Sequence, residues 1–158
     1  MRKIVLVILA LLICVPVFAK HQKRKKKKKQ STSKITSVTM RRTPCYGRCP
    51  DYSIKISSNG DVVYTGMRFV EDSGVYTKNV GAAKAMEIIN QFIANRVDTC
   101  KDLYQNRIPD LPGIIMTIVY ANSTKEIRNA HFGPPYFKGL ATSIDEVGKQ
   151  HDASWKKQ

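Results

Sequence analysis

The 158-residue sequence lacks the short motifs that identify many enzyme classes. It has no H-E-x-x-H motif of zinc proteases, no G-x-S-x-G motif of serine hydrolases and no glycine-rich phosphate-binding loop. Cys49, Asp110 and His131 could be imagined as a nucleophilic group, but a lone histidine near a strand end is more often a surface or capping residue. We therefore predict no catalytic residue, no cofactor and no metal site, and a binding or structural protein rather than an enzyme.

Acidic residues are also scarce, with 12 Asp and Glu against 27 Lys and Arg and a net charge of +15. None of the acidic residues lies in residues 1–29, which hold ten of the basic ones. Without these ten, 17 basic and 12 acidic residues remain, an excess of +5. A strongly basic fold would indicate nucleic acid as the ligand, and this fold is only mildly basic. Nucleic acid is therefore not predicted as its specific partner.

The first 19 residues have the pattern of a cleaved signal peptide. Arg2 and Lys3 precede an uncharged, almost wholly apolar run at residues 4–18, and Ala19 completes a stretch with small residues where a signal peptidase cleaves. The prediction is a secreted or periplasmic protein. The alternative is a protein anchored in the membrane by residues 4–19, because positive charge after an apolar segment resists translocation.

Residues 20–33 are predicted to be a disordered, lysine-rich tail. Its basic block repels itself and has nothing apolar to bury. Such a tail suits a non-specific tether to a polyanion: an anionic membrane surface, lipopolysaccharide, an acidic polysaccharide or DNA. The alternative is a solvated spacer, and no specific partner can be named for the folded part. The basic residues are Lys20, Lys23, Arg24, Lys25, Lys26, Lys27, Lys28 and Lys29.

Residues 34–150 are predicted to form one α+β domain, followed by a C-terminal tail at residues 151–158. Asn59-Gly60 between two alternating segments indicates a hairpin in which both residues tolerate positive φ. The nearly all-apolar segment 114–120 is predicted to be a central strand covered on both faces. The six segments with strand character are 34–40, 52–57, 62–64, 74–80, 114–120 and 126–132.

Two segments have the three- and four-residue spacing of a helix face. The first has Ala82, Met86, Ile89, Ile93 and Val97 in that spacing. The second begins after Gly133-Pro134-Pro135, because proline suits a first helical turn, and its apolar face is Phe137, Leu140, Ile144 and Val147. The order ββββ-α-ββ-α predicts an antiparallel sheet of about six strands with both helices packed on one face.

The cysteines of residues 43–52, TPCYGRCPDY, have three residues between them. A thioredoxin-like site has two residues in that position, and an iron–sulfur site would have a cysteine where Tyr52 stands. In an oxidising compartment we expect a Cys45–Cys49 disulfide around Tyr46-Gly47-Arg48, although Cys45–Cys100 and Cys49–Cys100 pairings stay open. The alternative function is a thiol- or metal-dependent enzyme that uses Cys45 and Cys49 with His131.

A disulfide ring of this size would fix the shape of a loop. Tyr and Arg dominate the energetics of many interfaces, so the residues in and beside the ring are candidates for a recognition patch. In the alternative interpretation Tyr52 is a core residue and Arg48 is merely solvated. The candidates are Tyr46, Arg48, Asp51 and Tyr52.

Residues 42–66 resemble the signature of a bacterial exported domain family of unknown function. The family motif is T-P-C-aromatic-G-x-C-P-x-Y followed by a hairpin that ends in Y-x-G, and the segments PDLPG and HFGPP resemble later family positions. The resemblance covers about residues 34–148 and implies a secreted or envelope location, often in Bacteroidetes-like bacteria, with no catalytic residue. The matching motif positions are Thr43, Pro44, Cys45, Tyr46, Gly47, Cys49, Pro50, Tyr52, Tyr64 and Gly66.

Overall fold

A computed structural model describes residues 34–105, 110–149 and 152–158. The predicted signal peptide and lysine-rich tail lie outside the described residues. In the described part, no helix is long and apolar enough to cross a membrane. The predicted α+β class, with hairpins in series and two helices, is confirmed, and the sheet has seven strands.

The strands and helices follow the predicted order with one addition at the C-terminus. The strands are β1 (Ile35–Arg42), β2 (Asp51–Ser57), β3 (Asp61–Arg68), β4 (Gly74–Asn79), β5 (Ile114–Tyr120), β6 (Thr124–Ile127) and β7 (Lys156–Lys157). The helices are α1 (Ala82–Ala94) and α2 (Tyr136–Gly148), and short 3-10 helices span Val97–Thr99 and Ala130–Phe132.

The sheet is antiparallel throughout, in the order β6-β5-β1-β2-β3-β4-β7. Alternate strand residues pack with both helices into a single core, because successive side chains of a strand point to opposite faces. Burial of this apolar face is the main stabilising contribution to the fold. The same topology brings the end of β1 beside the beginnings of β2 and β5, an end of the sheet that we call the loop end.

The β2–β3 hairpin forms at the predicted place with a different turn. The Gly60 amide donates to Ser57 O at 2.9 Å, and Gly60 has a φ of 99°. Asn59 does not adopt the positive φ that it tolerates, so only Gly60 has a left-handed backbone in this turn. Gly60 also packs against the chain at Gly81, where a Cβ on Gly60 would lie 2.6 Å from a backbone carbon. A glycine is required there for both reasons.

The predicted face of α1 was wrong in phase. Ile93 is 47 % exposed, and the helix ends before Val97, which is buried from the following 3-10 helix. The left-handed backbone of Arg96, with a φ of 51°, separates the two helices. In the observed orientation of α1, Phe92, the largest apolar side chain of the helix, faces the core. The residues of α1 that are buried are Ala85, Ile88, Ile89 and Phe92.

Strands β5 and β6 differ from their predictions as well. Strand β5 is flanked by β1 and β6, but only alternate residues are buried, since the helices pack on one face of the sheet. Strand β6 is Thr124–Ile127 and not 126–132, because Asn129 adopts a left-handed φ of 54° and a 3-10 helix follows. His131 therefore lies in that 3-10 helix.

Residues 152–158, which we expected to form a tail, pack on the domain. Strand β7 pairs with β4, and the Gln158 amide donates to Val75 O at 2.9 Å. Trp155 is 9 % exposed and belongs to the core. The sheet therefore extends beyond the segment in which the sequence pattern indicated strands.

Candidate ligand-binding site

Cys45 and Cys49 form a disulfide, with their Cα atoms 5.6 Å apart, as the spacing predicted. Cys100 is a free, partly buried thiol, so the two alternative pairings are wrong. In this oxidised form neither sulfur atom of the pair is a thiolate, the species required for nucleophilic attack or metal ligation. Among the described residues, no group of three or more His, Cys, Asp or Glu side chains is placed to hold a metal ion.

The disulfide ring is attached to the segment that leads into β5. The Thr43 amide donates to Gly113 O at 3.0 Å, and the Gly113 amide donates back to Thr43 Oγ1 at 2.8 Å. The Tyr46 amide approaches Asp110 O at 3.4 Å. A Cβ on Gly113 would lie 2.8 Å from Thr43 Oγ1, so the two segments are in close contact. These contacts hold the base of the ring independently of the disulfide.

The four recognition candidates divide between the surface and the interior. Tyr46 is 91 % exposed at the tip of the ring, and Arg48 is also exposed. Tyr52 is fully buried in the core. Asp51 is buried as well, with its carboxylate 3.5 Å from Arg41 Nη2. Only the two residues inside the ring are therefore presented to a partner.

A polar cluster joins the loop end of the sheet to the last turn of α2. Asp145 Oδ2 accepts a hydrogen bond from Arg42 Nη2 at 2.5 Å, and Asp145 Oδ1 accepts one from the Tyr52 hydroxyl at 2.6 Å. The register places Arg42 opposite Tyr52 on one side and Ile114 on the other. Arg42 thus occupies a position that continues the core-facing positions of β1.

The pKa values in this cluster follow from burial and from the ion pair. Burial alone would lower the pKa of Arg42, but the hydrogen bond and charge of Asp145 outweigh it and the pKa is raised. Burial raises the pKa of Tyr52, and its hydrogen bond to Asp145 raises it further. At neutral pH the cluster therefore contains the Arg42 guanidinium and the neutral phenol of Tyr52, both of which bind the carboxyl group of Asp145.

A pocket of about 390 Å³ opens over this cluster. Its volume lies at the lower end of the range for small-molecule sites. Cys49 and Pro50 connect the pocket to the disulfide ring, and Lys149 Nζ lies 5.2 Å from the centre of the Tyr52 ring, in a cation–π contact. The complete lining is Arg42, Cys49, Pro50, Tyr52, Pro112, Gly113, Ile114, His131, Asp145 and Lys149.

His131 lines the same pocket and has a structural hydrogen bond. Its Nδ1 accepts the amide proton of Ile114 at 3.2 Å, which assigns the ring proton to Nε2. Within the described residues, Nε2 is buried and has no hydrogen-bond partner. Burial lowers the pKa of His131, and the charge of Arg42 lowers it further. The imidazole is therefore neutral at pH 7. Cys49 lines the same pocket as His131, but it is in the disulfide.

Cys100 lies in a separate cluster of side chains. Its Sγ is 2.8 Å from the Tyr136 hydroxyl, and its carbonyl accepts a hydrogen bond from Lys125 Nζ at 2.7 Å. Burial raises the pKa of Tyr136, and the hydrogen bond with Cys100 adds to this effect. Cys100 does not line the pocket that Cys49 and His131 share.

Exposed apolar side chains are concentrated at the loop end. Of the seven large apolar side chains that are exposed in the described part, all but Ile93 belong to segments that the strand register brings to this end. Large apolar residues gathered at one end of a domain are typical of an interaction surface. The six residues are Tyr46, Met67, Phe69, Leu103, Leu111 and Phe132.

Sequence reasoning missed Arg42, Asp145 and Lys149. A signal for the first two existed, because Arg42 follows Val38 and Met40 at the two-residue spacing of the buried face of β1. Asp145 likewise adjoins Ile144 in the apolar stripe of α2. Two opposite charges that continue apolar stripes indicate an ion pair at the edge of a core, although the stripes do not show that the two elements meet.

Comparison with known proteins gives a family without an assigned function. The family model of the domain of unknown function DUF6438 matches residues 36–148, a span that includes the disulfide ring and every residue of the pocket except Lys149. No curated protein matches the chain. The predicted resemblance to a family of unknown function is confirmed at this level, while its bacterial origin and exported location stay predictions. The chain therefore belongs to the DUF6438 family.

Proposed function

We propose that the chain is an exported, non-enzymatic recognition domain that binds its partner with the loop end of the sheet. The observation that carries the proposal is the concentration of six exposed apolar side chains at that end. Exposed large apolar side chains at one end of a domain are candidates for contact with a partner. The disulfide ring adds an exposed tyrosine, Tyr46, and an exposed arginine, Arg48. Both residue types are enriched among the side chains that contribute most to binding.

The disulfide also supports the exported location. Disulfides persist in oxidising compartments such as the periplasm and the cell exterior. The predicted signal peptide would deliver the chain there, and residues 20–29 would tether it to an anionic surface. Deletion of residues 20–29 should abolish binding to vesicles that contain anionic lipid at low salt, because these residues hold eight positive charges. Binding that survives the deletion would place the attraction in the fold.

Site-specific photo-crosslinking in cells that produce the protein tests the recognition surface. A photoreactive amino acid is placed at Tyr46 and, as the matched control, at Ala83. Ala83 is exposed on the first turn of α1. This helix follows the end of β4 that lies away from the loop end of the sheet. We expect a discrete adduct from position 46 and none from position 83. The adduct should disappear in the Cys45→Ser/Cys49→Ser variant, because the ring then loses its fixed shape.

Equal adducts from both positions, or no adduct from either Tyr46 or Phe132, would contradict the proposal. Phe132 is a second reporter, because it is exposed at the same end but lies outside the disulfide ring. An adduct that is unchanged in the serine variant would contradict the role of the ring and leave the apolar surface as the binding element.

A further inference from the structure

The pocket over Asp145 combines two cations with one carboxylate that is already engaged. Both oxygens of Asp145 accept hydrogen bonds, from Arg42 Nη2 at 2.5 Å and from the Tyr52 hydroxyl at 2.6 Å. A carboxylate whose two oxygens both accept hydrogen bonds repels an incoming anion less than a carboxylate without donors does. The reason is that the donors offset part of its negative charge. Counting Arg42, Lys149 and Asp145, the pocket has an excess charge of +1.

Within the described residues, Arg42 has N–H donors that no contact occupies. A guanidinium carries five N–H groups in a planar fork, and its contacts with Asp145 and Tyr52 engage only part of that fork. The Arg42 side chain keeps 32 % of its surface exposed. The ion pair with Asp145 also holds the guanidinium in one orientation, which reduces the conformational entropy that binding would cost. Arg42 is therefore a preorganised donor for a second carboxylate.

Lys149 supplies the second charge. It follows the last residue of α2, and its ammonium group lies over the Tyr52 ring. Among the described residues, Lys149 forms no ion pair with a carboxylate. An anion bound at Arg42 would therefore share the pocket with a second cation whose charge is not paired with a carboxylate of the described residues.

The other residues that line the pocket indicate which chemical group accompanies the anion in a ligand. Pro50, Pro112 and Ile114 are apolar, and the Cys49 sulfur belongs to the disulfide. His131 also lines the pocket, but its Nε2 atom is buried and so is not exposed to a ligand. A sugar acid would bring several hydroxyl groups, each of which costs free energy when it is buried without a hydrogen-bond partner. An apolar side chain beside the carboxylate suits these walls and contributes burial of apolar surface.

We propose that this pocket binds the free carboxylate of a peptide C-terminus whose last residue is apolar, with Arg42 and Lys149 holding the carboxylate. Capture of a terminal carboxylate is a recurring mode of peptide recognition. The inference deepens the proposed function and rests on it, since it names the ligand class of the same surface. The peptide chain before the last residue would leave the pocket past the Cys45–Cys49 ring, because Cys49 and Pro50 form that wall.

The test uses three small probes and the purified 158-residue chain, followed by amide chemical shifts. N-acetyl-leucine has the carboxylate and the apolar side chain, N-acetyl-leucinamide lacks the charge, and glucuronate lacks the apolar side chain. We expect N-acetyl-leucine to shift the amides of Cys49, Ile114 and Lys149, with a dissociation constant on the order of 1 mM for so small a ligand. The other two probes should bind at least about tenfold more weakly, since each loses one of the two recognition elements.

Two lysine variants test whether the charge of Lys149 contributes to binding of the carboxylate. Lys149→Met should weaken N-acetyl-leucine binding about fivefold, the value of one exposed charge pair, and leave the amide probe unchanged. Lys138→Met is the matched control, because Lys138 is exposed on α2 but does not line the pocket, and it should change neither. Arg42→Met should abolish binding. If that variant does not fold, the Lys149 comparison still decides the test.

The proposal is overturned if the amide binds as tightly as the acid, if glucuronate binds as tightly as N-acetyl-leucine, or if no pocket amide shifts up to the solubility limit of the probe. Glucuronate also controls for non-specific attraction to the lysine-rich segment, which any carboxylate would share. If the pocket fails this test while the Tyr46 adduct persists, the ligand class is wrong and the recognition surface stands. If N-acetyl-leucine binds but no adduct forms, the recognition function of the ring fails alone.

Discussion

Replacing both ring cysteines by serine should destabilise the domain modestly and impair recognition much more. A disulfide acts in large part by restricting the unfolded chain, and the restriction grows with the number of residues in the closed loop. The Cys45–Cys49 ring closes only five residues, because the two cysteines are four positions apart. The folded state keeps the hydrogen bonds between Thr43 and Gly113, which do not depend on the sulfur atoms.

The size of the effect follows from that ring. For a loop of about five residues, the chain-entropy relation gives about 7 cal/mol/K, or about 2 kcal/mol at 25 °C. In a domain of this length, 1 kcal/mol corresponds to about 4 °C in the melting temperature, so we expect a decrease of about 8 °C. The dependence of the unfolding free energy on urea concentration should change little, because the core remains the same.

Urea and thermal unfolding followed by circular dichroism measure this loss. The double variant is compared with the parent in a Cys100→Ser background, so that the free thiol cannot mispair. A loss above about 4 kcal/mol, or failure to fold, would show that the ring carries part of the domain's packing. A loss below about 0.5 kcal/mol would mean either that the bond is not formed in solution or that the entropy estimate is too large. Non-reducing peptide mapping distinguishes these two explanations.

Two further predictions concern His131 and Trp155. The pKa of His131 in the folded protein is lowered, mainly by burial. Its stabilising contribution is therefore complete above the unfolded pKa of about 6.5, and it is lost as pH falls below that value through the lowered native pKa. His131→Asn keeps an acceptor for the Ile114 amide and should make the unfolding free energy less dependent on pH between about 5 and 8, in a background without His21 and His151; an unchanged profile would refute this origin. Trp155→Ala should lower the free energy of unfolding in urea by about 3 kcal/mol, because Trp155 is buried. The exposed control, Lys156→Ala, should lower it by less than about 0.5 kcal/mol. Equal losses would show that the C-terminal segment does not pack as described.

The sequence predicted elements whose patterns are local and missed those that depend on distant contacts. Alternation in β2 and the proline-initiated stripe of α2 each arise within a dozen residues, so they were assigned correctly. Strand β7 has only two residues, both lysine, and exists because its backbone meets β4. No periodicity could have indicated it. The phase of α1 failed for a related reason, since two overlapping apolar stripes share Ile89 and only the packed core decides between them.

The candidate site shows the same division. The disulfide could be predicted because its two cysteines are four residues apart and their export was expected. The ion pair beneath the pocket joins Arg42 to a residue 103 positions away, and nothing in either local pattern specifies that the last turn of α2 meets the end of β1. Of the four recognition candidates, Tyr46 and Arg48 are exposed while Asp51 and Tyr52 are buried, because burial depends on the same distant contacts.

The position of Arg42 argues that its role is binding more than stability. It occupies a core-facing position of β1 at which the pattern would place an apolar residue, opposite Tyr52 and Ile114. A partly buried ion pair is often no more stabilising than apolar residues of the same size, because both charges lose hydration. Local rules that a sequence breaks without a gain in stability are expected to be broken at functional sites. Arg42 breaks such a rule directly beneath the pocket, beside a disulfide ring that we expect to contribute only modestly to stability.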